Sequence, residues 1–453
     1  MIDGSQVLIG FLSFFALSLI LNWALNVLNR REVLSHRVLP PSLNGIFSLP
    51  PSNQTSRNEK SSNHPTVASN SGLTDADRFT KSRAYTLEQL SFDNFSLFYS
   101  ALLTLVLLCS GLLPWFDKTL LHLCGDGLHR GVLFLVGVTA VPSILKLPLT
   151  LYSTFRIEGK FGFNTMTWGL FWRDFAKELA MTLVLGLPLL YALLFLFRFT
   201  NSTWWLWAFG LILFFQLGML VVYPTLIAPL FNRFKPLEES ELKSNLLSLA
   251  ERLHFPAAGI FVMDGSRRSL HSNAYFTGLG KWRRIVLYDT LIRQMDNSEL
   301  TSILAHEIGH YKRNHIYKMM ATQVFMLGSL LFLASLALKW EPLYSAFGFQ
   351  FSSRPPAVET SSPAVGLFLF LSVFSSLSML LSPFMNHVSR KHEYEADAYA
   401  VLSTDDIPSM RSALIKLSRE NLTNLTPHPW YSAFHYSHPS LAERIKALEA
   451  TKK

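Results

Sequence analysis

His306-Glu307-Ile308-Gly309-His310 lies inside the helical-looking segment Asn297 to Met320. At about 3.6 residues per turn, two histidines four apart leave the helix on one face and can hold one zinc ion. Glu307 follows the first histidine, where its carboxylate can reach a water on that ion and take its proton. This is the equipment of metal-assisted peptide hydrolysis, and it calls for a helix here. A helix that merely happens to carry two histidines and a glutamate would look the same over five residues, so the surrounding chain has to decide.

The surroundings are those of a membrane protein. The chain has 453 residues, 49% of them hydrophobic, and contains runs close to the roughly 20 apolar residues that a helix needs to cross a bilayer. Seven are predicted, at Gln6 to Leu28, Phe95 to Leu113, Gly131 to Tyr152, Leu179 to Phe199, Trp204 to Leu230, Met320 to Leu338 and Ala364 to Met385. The first has no basic stretch before it and no small-residue cleavage site after it, so it reads as a retained span rather than a signal peptide.

Lysine and arginine crowd Arg30 to Arg83, Arg156 to Lys177, Arg233 to Lys318 and Arg390 to Lys453, whereas the connections around Lys118, Thr200 and Glu341 carry few. The rich set belongs in the cytoplasm, which puts the amino terminus outside. This asymmetry also accounts for the net charge of +9, and with no nucleic-acid motif in the chain, nucleic acid is not expected as a partner. Two spans separate His310 from the basic carboxy-terminal region, so both lie on the same side and the tail can complete the zinc site.

A catalytic zinc usually has three protein ligands and one open position. His315 is a poor third ligand: five residues beyond His310 on a continuous helix, it is rotated by roughly 140° and reads as an exposed helix-end histidine. The extended HExxHxxGxxH pattern fails as well, with Arg313 and Ile316 at its glycine and histidine positions. The better source is Asn386-His387-Val388-Ser389-Arg390-Lys391-His392-Glu393-Tyr394-Glu395-Ala396-Asp397, after the seventh span. Glu393 and Asp397 share a helical face, so Glu393 can bind zinc while Asp397 buttresses a ligand histidine; Glu395 points elsewhere. Taken alone, this stretch also fits a solvated charged helix.

HExxH followed after two spans by SRxxExxAD resembles the type I CAAX prenyl protease family, integral-membrane zinc endopeptidases that trim prenylated proteins. The similarity extends to Lys81-Ser82-Arg83-Ala84-Tyr85, Ile157-Glu158-Gly159-Lys160-Phe161-Gly162-Phe163-Asn164, Ile227-Ala228-Pro229-Leu230-Phe231-Asn232 and His271-Ser272-Asn273-Ala274-Tyr275-Phe276. It includes His438-Pro439 and Glu443-Arg444 near the end. The resemblance implies that His306, His310 and Glu393 bind one Zn2+ per chain and that Glu307 is the general base. It also implies that His438 and Arg444 stand near the scissile carbonyl, where donating or positive groups stabilise a developing oxyanion. By itself, His438 would instead cap a proline-started helix, Pro439 to Ala450.

Ser272 to Phe276 reads as a short strand. As an edge strand it would hold an extended substrate by main-chain hydrogen bonds through Asn273 and Ala274; the alternative is a core strand paired with Arg284 to Tyr288. The polar stretch from Val33 to about Thr80 has too few large apolar residues to offset the entropy of ordering and is given no catalytic role. Asn201-Ser202-Thr203 fits a glycosylation sequon on the outer side but abuts the membrane and is not expected to be used. Cys109 and Cys124 suggest neither a metal nor a redox motif.

The expected fold is therefore mainly α: a polytopic membrane protein with about seven transmembrane helices, plus a cytoplasmic zinc metalloprotease domain with a small β-sheet. The resemblance adds a large water-filled chamber between the two. The membrane region would occupy 1–230, the two parts of the protease domain 231–319 and 386–453, and spans six and seven 320–385. Expected partners are peptide or protein substrates, prenylated if the resemblance holds, and the bilayer itself: the endoplasmic reticulum membrane in a eukaryote, the cytoplasmic membrane in a bacterium. Quality-control proteolysis of unprenylated membrane proteins is the alternative, and a zinc-free scaffold or transporter would need a lost ligand or base.

Overall fold

The computed structural model describes residues 2–40, 74–278, 283–350 and 362–450. Among them, seven helical stretches are long and apolar enough to cross a membrane: Gly4–Ser35, Asp75–Cys109, Leu128–Phe161, Trp168–Phe199, Asn201–Phe231, His315–Ala337 and Pro363–Thr404. Each overlaps one predicted run. Their apolar side chains are poorly covered by protein, with Phe214 and Phe325 77% and 75% exposed, a surface that lipid rather than water suits. The second stretch ends earlier than predicted, at Cys109. Gly111 there takes φ +80°, a left-handed turn open to glycine, and a separate helix Leu112–Cys124 follows.

The polar stretch predicted to begin at Val33 starts later, because the first helix runs through buried Val33 to Ser35. The second helix begins at Asp75 behind a reciprocal cap between Thr74 and Asp77. Arg83 joins the two helices by donating from Nε to the Val33 carbonyl at 2.9 Å. Residues 41–73 of that stretch lie outside the described residues.

A four-stranded sheet follows the fifth stretch, with β1 (Phe234–Pro236), β2 (Ala257–Met263), β3 (Ala274–Thr277) and β4 (Arg283–Tyr288) in the order β1-β2-β4-β3. β2 runs parallel to β4, and both edge strands are antiparallel to their neighbours. Successive Ile285, Val286 and Leu287 of β4 are all buried, as a strand covered on both faces requires. β3 is thus an edge strand, bonded to β4 on one side, with its four residues half-buried rather than in the core.

One apolar core joins this sheet to helices from both sides of spans six and seven. Leu246, Ile260, Leu287, Leu291, Leu304 and Ile308 meet Ala400, Ala413, Ile415 and Leu448 within it. At its base stands the start of the HExxH helix, Asn297–Lys312, where Asp296 and Glu299 cap one another. Glu299 is 1% exposed and also receives Lys416 Nζ at 2.7 Å and the Ser412 hydroxyl, both from the helix Ile407–Glu420.

Removing one partner of a buried pair costs about 3–5 kcal/mol, because the other charge stays behind in a poor solvent. We expect Lys416→Met to lower the thermal midpoint of the detergent-solubilised protein by an amount near the lower end of that range, since two other donors still serve Glu299. Adding Glu299→Gln should recover most of the loss. An unchanged midpoint in the single variant would refute this account of how the helix is anchored.

Candidate active site

Two helices far apart in sequence supply the site. The HExxH helix lies against the carboxy-terminal part of the helix Pro363–Thr404, whose buried stripe includes Glu393, Ala396, Asp397, Ala400 and Val401. The i, i+3, i+4, i+7 spacing of that stripe is a helical face. The approach is close because Gly309 has no side chain and Ala396 only a methyl group: a Cβ on Gly309 would stand 3.1 Å from the Ala396 backbone and 3.2 Å from Tyr399 Cβ. Glycine opposite alanine is therefore what lets Glu393 reach the two histidines.

His306 Nε2 and His310 Nε2 are 3.2 Å apart. Glu393 Oε1 lies 3.3 Å from His310 Nε2 and its Oε2 3.6 Å from His306 Nε2. One ligand atom from each residue falls within 4.8 Å of the others, the one such group among the described residues. Glu393 Oε2 is buried and receives no aligned hydrogen bond, although His438 Nδ1 stands 2.9 Å away. Two imidazole nitrogens and a carboxylate left short of donors form a set that fits a divalent metal ion with a position to spare.

Asp397 Oδ1 lies 2.8 Å from His306 Nδ1. Arg444, from the helix Leu441–Ala450, grips that carboxylate through Nε at 2.8 Å and Nη2 at 2.5 Å, and its Nη1 stands 3.7 Å from Glu393. Burial works to lower the Arg444 pKa, but Asp397 outweighs it and the guanidinium stays charged. Glu307 is half-buried between the two histidines of its helix. Burial pushes its carboxyl above the ordinary range against the pull of His306 and His310, with Glu393 adding to the rise, so its proton affinity moves toward that of a useful general base.

Three readings of the sequence need correcting. The HExxH helix does not run to Met320: it ends at Lys312, and Asn314 at φ +58° turns the chain into a new helix, His315–Ala337. That break removes the rotation expected of His315. Its ring is buried, 1% exposed, with Nδ1 3.0 Å from His310 Nδ1, and its other nitrogen meets Glu395, which lies outside the metal-binding group, at 3.0 Å. Finally, the last helix starts at Leu441 rather than Pro439. Ser440 and Glu443 exchange hydrogen bonds there, a Ser-x-x-Glu signal that the proline obscured.

A cavity of about 660 Å³ opens beside the metal-binding group, lined by Asn273, His438, Arg444, His271, Tyr85 and Asn421 among others. The three ligands are absent from its wall; His438 and Arg444 connect the two, since both approach Glu393. Ala274 opens β3, whereas Asn273 precedes it, exposed, with its carbonyl accepting the Tyr288 N–H at 3.1 Å. The chain entering β3 is held by a polar network to which the sequence assigned no role. Tyr85 donates to Glu158 at 2.6 Å, His271 lies 3.2 Å from both Glu158 and Asn421, and the Ser272 N–H donates to Asn421 at 3.0 Å. Tyr85, Glu158 and His271 all stand within family-like stretches, which was the available signal; Asn421 had none.

Residues 54–233 match the family described as CAAX prenyl protease N-terminal, five membrane helices, and residues 236–452 match peptidase family M48. The CAAX prenyl protease 1 homolog of Arabidopsis thaliana is 40% identical over 84% of this chain and 90% of its own. CAAX prenyl protease 1 of Saccharomyces cerevisiae is 36% identical over 83% and 86%, and the Homo sapiens homolog 31% over 84% and 88%. A crystal structure of S. mikatae Ste24p superposes with a TM-score of 0.86 at 32% identity, covering 99% of this chain and all of that one. With the membrane helices, the paired helices of the metal-binding group and the matched sequence all agreeing, the chain belongs to the CAAX prenyl protease 1 family of M48 metalloproteases.

Proposed function

We propose that this protein is a zinc-dependent endopeptidase that hydrolyses peptide bonds in the carboxy-terminal CAAX tail of prenylated proteins. The observation that carries the reading is the convergence of His306, His310 and Glu393 beside a cavity lined by Asn273, the residue that leads into the edge strand β3. Zinc suits two imidazoles, one carboxylate and an open position better than oxygen-seeking magnesium or calcium does. When bound, it would act as a Lewis acid on the scissile carbonyl and raise the acidity of the attacking water.

The chain's own residues do the rest. Glu307 takes the proton of the attacking water and returns it to the departing amine. Asp397 holds His306 at Nδ1, and Arg444 holds Asp397 while turning Nη1 toward the reaction centre. His438, 65% exposed at the cavity wall, donates to the oxygen that gains charge as the carbonyl becomes tetrahedral. Asn273 and Ala274 bind the extended substrate through their main chain. The protease domain, in two parts at 231–319 and 386–453, faces the cytoplasm by the positive-inside distribution, in the endoplasmic reticulum membrane of a eukaryote or the cytoplasmic membrane of a bacterium. A prenylated protein anchored on that leaflet can then present its tail without crossing the bilayer.

Purified protein should cleave a farnesylated CAAX peptide and lose that activity to a zinc chelator, while the unprenylated twin is a poor substrate. Equal cleavage of both would remove prenylation from the reading and favour quality-control proteolysis. Sidedness has its own test. In a background lacking Cys109 and Cys124, single cysteines near Lys312 and Lys452 should react with an impermeant thiol reagent from the cytoplasmic face alone. Labelling from opposite faces would break the shared site.

A further inference from the structure

The break at Arg313–Asn314 returns the chain toward the site and places His315 behind His310. His310 presents its two ring nitrogens to opposite sides. Nε2 faces His306 and Glu393, and Nδ1 faces His315, so His315 cannot join the same ligand set. It is also fixed in place. Its ring is buried, lies stacked on the His392 ring at 4.1 Å with 15° between the planes, and meets Glu395 Oε2 through Nε2 at 3.0 Å.

These contacts allow a single consistent arrangement of protons. When His310 offers Nε2 as a ligand, its proton sits on Nδ1 and is donated to His315 Nδ1. His315 then carries its own proton on Nε2 and donates it to the Glu395 carboxylate. We propose that His315 and Glu395 are positioning residues that fix the tautomer and ring plane of His310, a service that reaches His306 directly from Asp397 at 2.8 Å. One helix turn, Glu393 to Asp397, thus provides a ligand and a support for each ligand histidine. The unusual feature is that one support passes through an intervening imidazole.

The proposal rests on His310 being a metal ligand, and the test separates the two. Metal-free, full-length protein in detergent micelles is titrated with Co2+, whose d–d absorption bands report ligand geometry. His315→Phe keeps the ring stack but removes both nitrogens, and Glu395→Ala removes the last acceptor. Each should weaken Co2+ binding about 10–100-fold and shift the bands, the range seen when the partner of a ligand is lost. Glu395→Gln, whose carbonyl can still accept the His315 N–H, should keep the native bands. Unfolding midpoints of the metal-free variants identify any simple loss of structure; if His315→Phe does not fold, Glu395→Ala carries the test. Native affinity and bands in Glu395→Ala, with binding lost in His310→Ala, would overturn the relay and leave the metal reading standing. Native binding in His310→Ala would overturn both.

Discussion

Glu307→Gln should abolish turnover while leaving the metal bound. The atoms grouped so that they could hold a metal ion belong to His306, His310 and Glu393, whereas Glu307 stands beside them on the HExxH helix without entering that group. Glutamine keeps the size and the hydrogen-bonding oxygen but has no site for the proton of the attacking water. General base catalysis is worth about 10²–10⁴-fold, so kcat should fall by at least that range while metal content stays near one per chain. Metal analysis and single-turnover cleavage on the same preparation test both halves. Activity like that of the native protein would sink the mechanism, and loss of metal would reassign Glu307 as a ligand.

Glu393→Ala should do the reverse and remove the metal. Two imidazoles alone are too few for a catalytic site, and the loss should exceed the about 10–100-fold that a missing supporting partner costs. Asp397→Ala, which leaves His306 Nδ1 without its carboxylate and frees Arg444, should fall between Glu393→Ala and the native protein. Competition against a chelating dye gives the three affinities. Equal affinity in Glu393→Ala and native protein would refute the third ligand. Glu395→Ala is no neutral control for this series, because Glu395 holds His315 against His310.

The membrane part was legible because it depends on local quantities. Length and apolarity decide whether a helix spans a bilayer, and all seven spans follow from them, with errors confined to ends such as Cys109, where Gly111 turns the chain. The protease part was legible where spacing carried the chemistry. Residues four apart share a helical face whatever the rest of the fold does, so His306 with His310, and Glu393 with Asp397, could be paired on paper.

Spacing misled where its assumption of a continuous helix failed. The 140° rotation that excluded His315 holds only if the helix passes Arg313, and a single left-handed residue, Asn314, cancels it. Asn421 escaped notice for a related reason. It is an isolated polar residue after a helix end, and its meaning comes from Ser272 and His271, roughly 150 residues away in sequence but at hydrogen-bond distance in space.

By itself, then, the sequence determined the class of molecule, the number of membrane helices and the residue types able to bind and use a metal, since each is set by composition or by the period of one helix. Tertiary structure alone decided which of the many polar groups meet. The close crossing at Gly309 and Ala396 sets the distance from Glu393 to the histidines, and the break at Asn314 brings His315 behind His310. The sheet order makes β3 an edge. These are contacts between elements that lie apart in the sequence, or across a broken helix, and no local period of the chain encodes them.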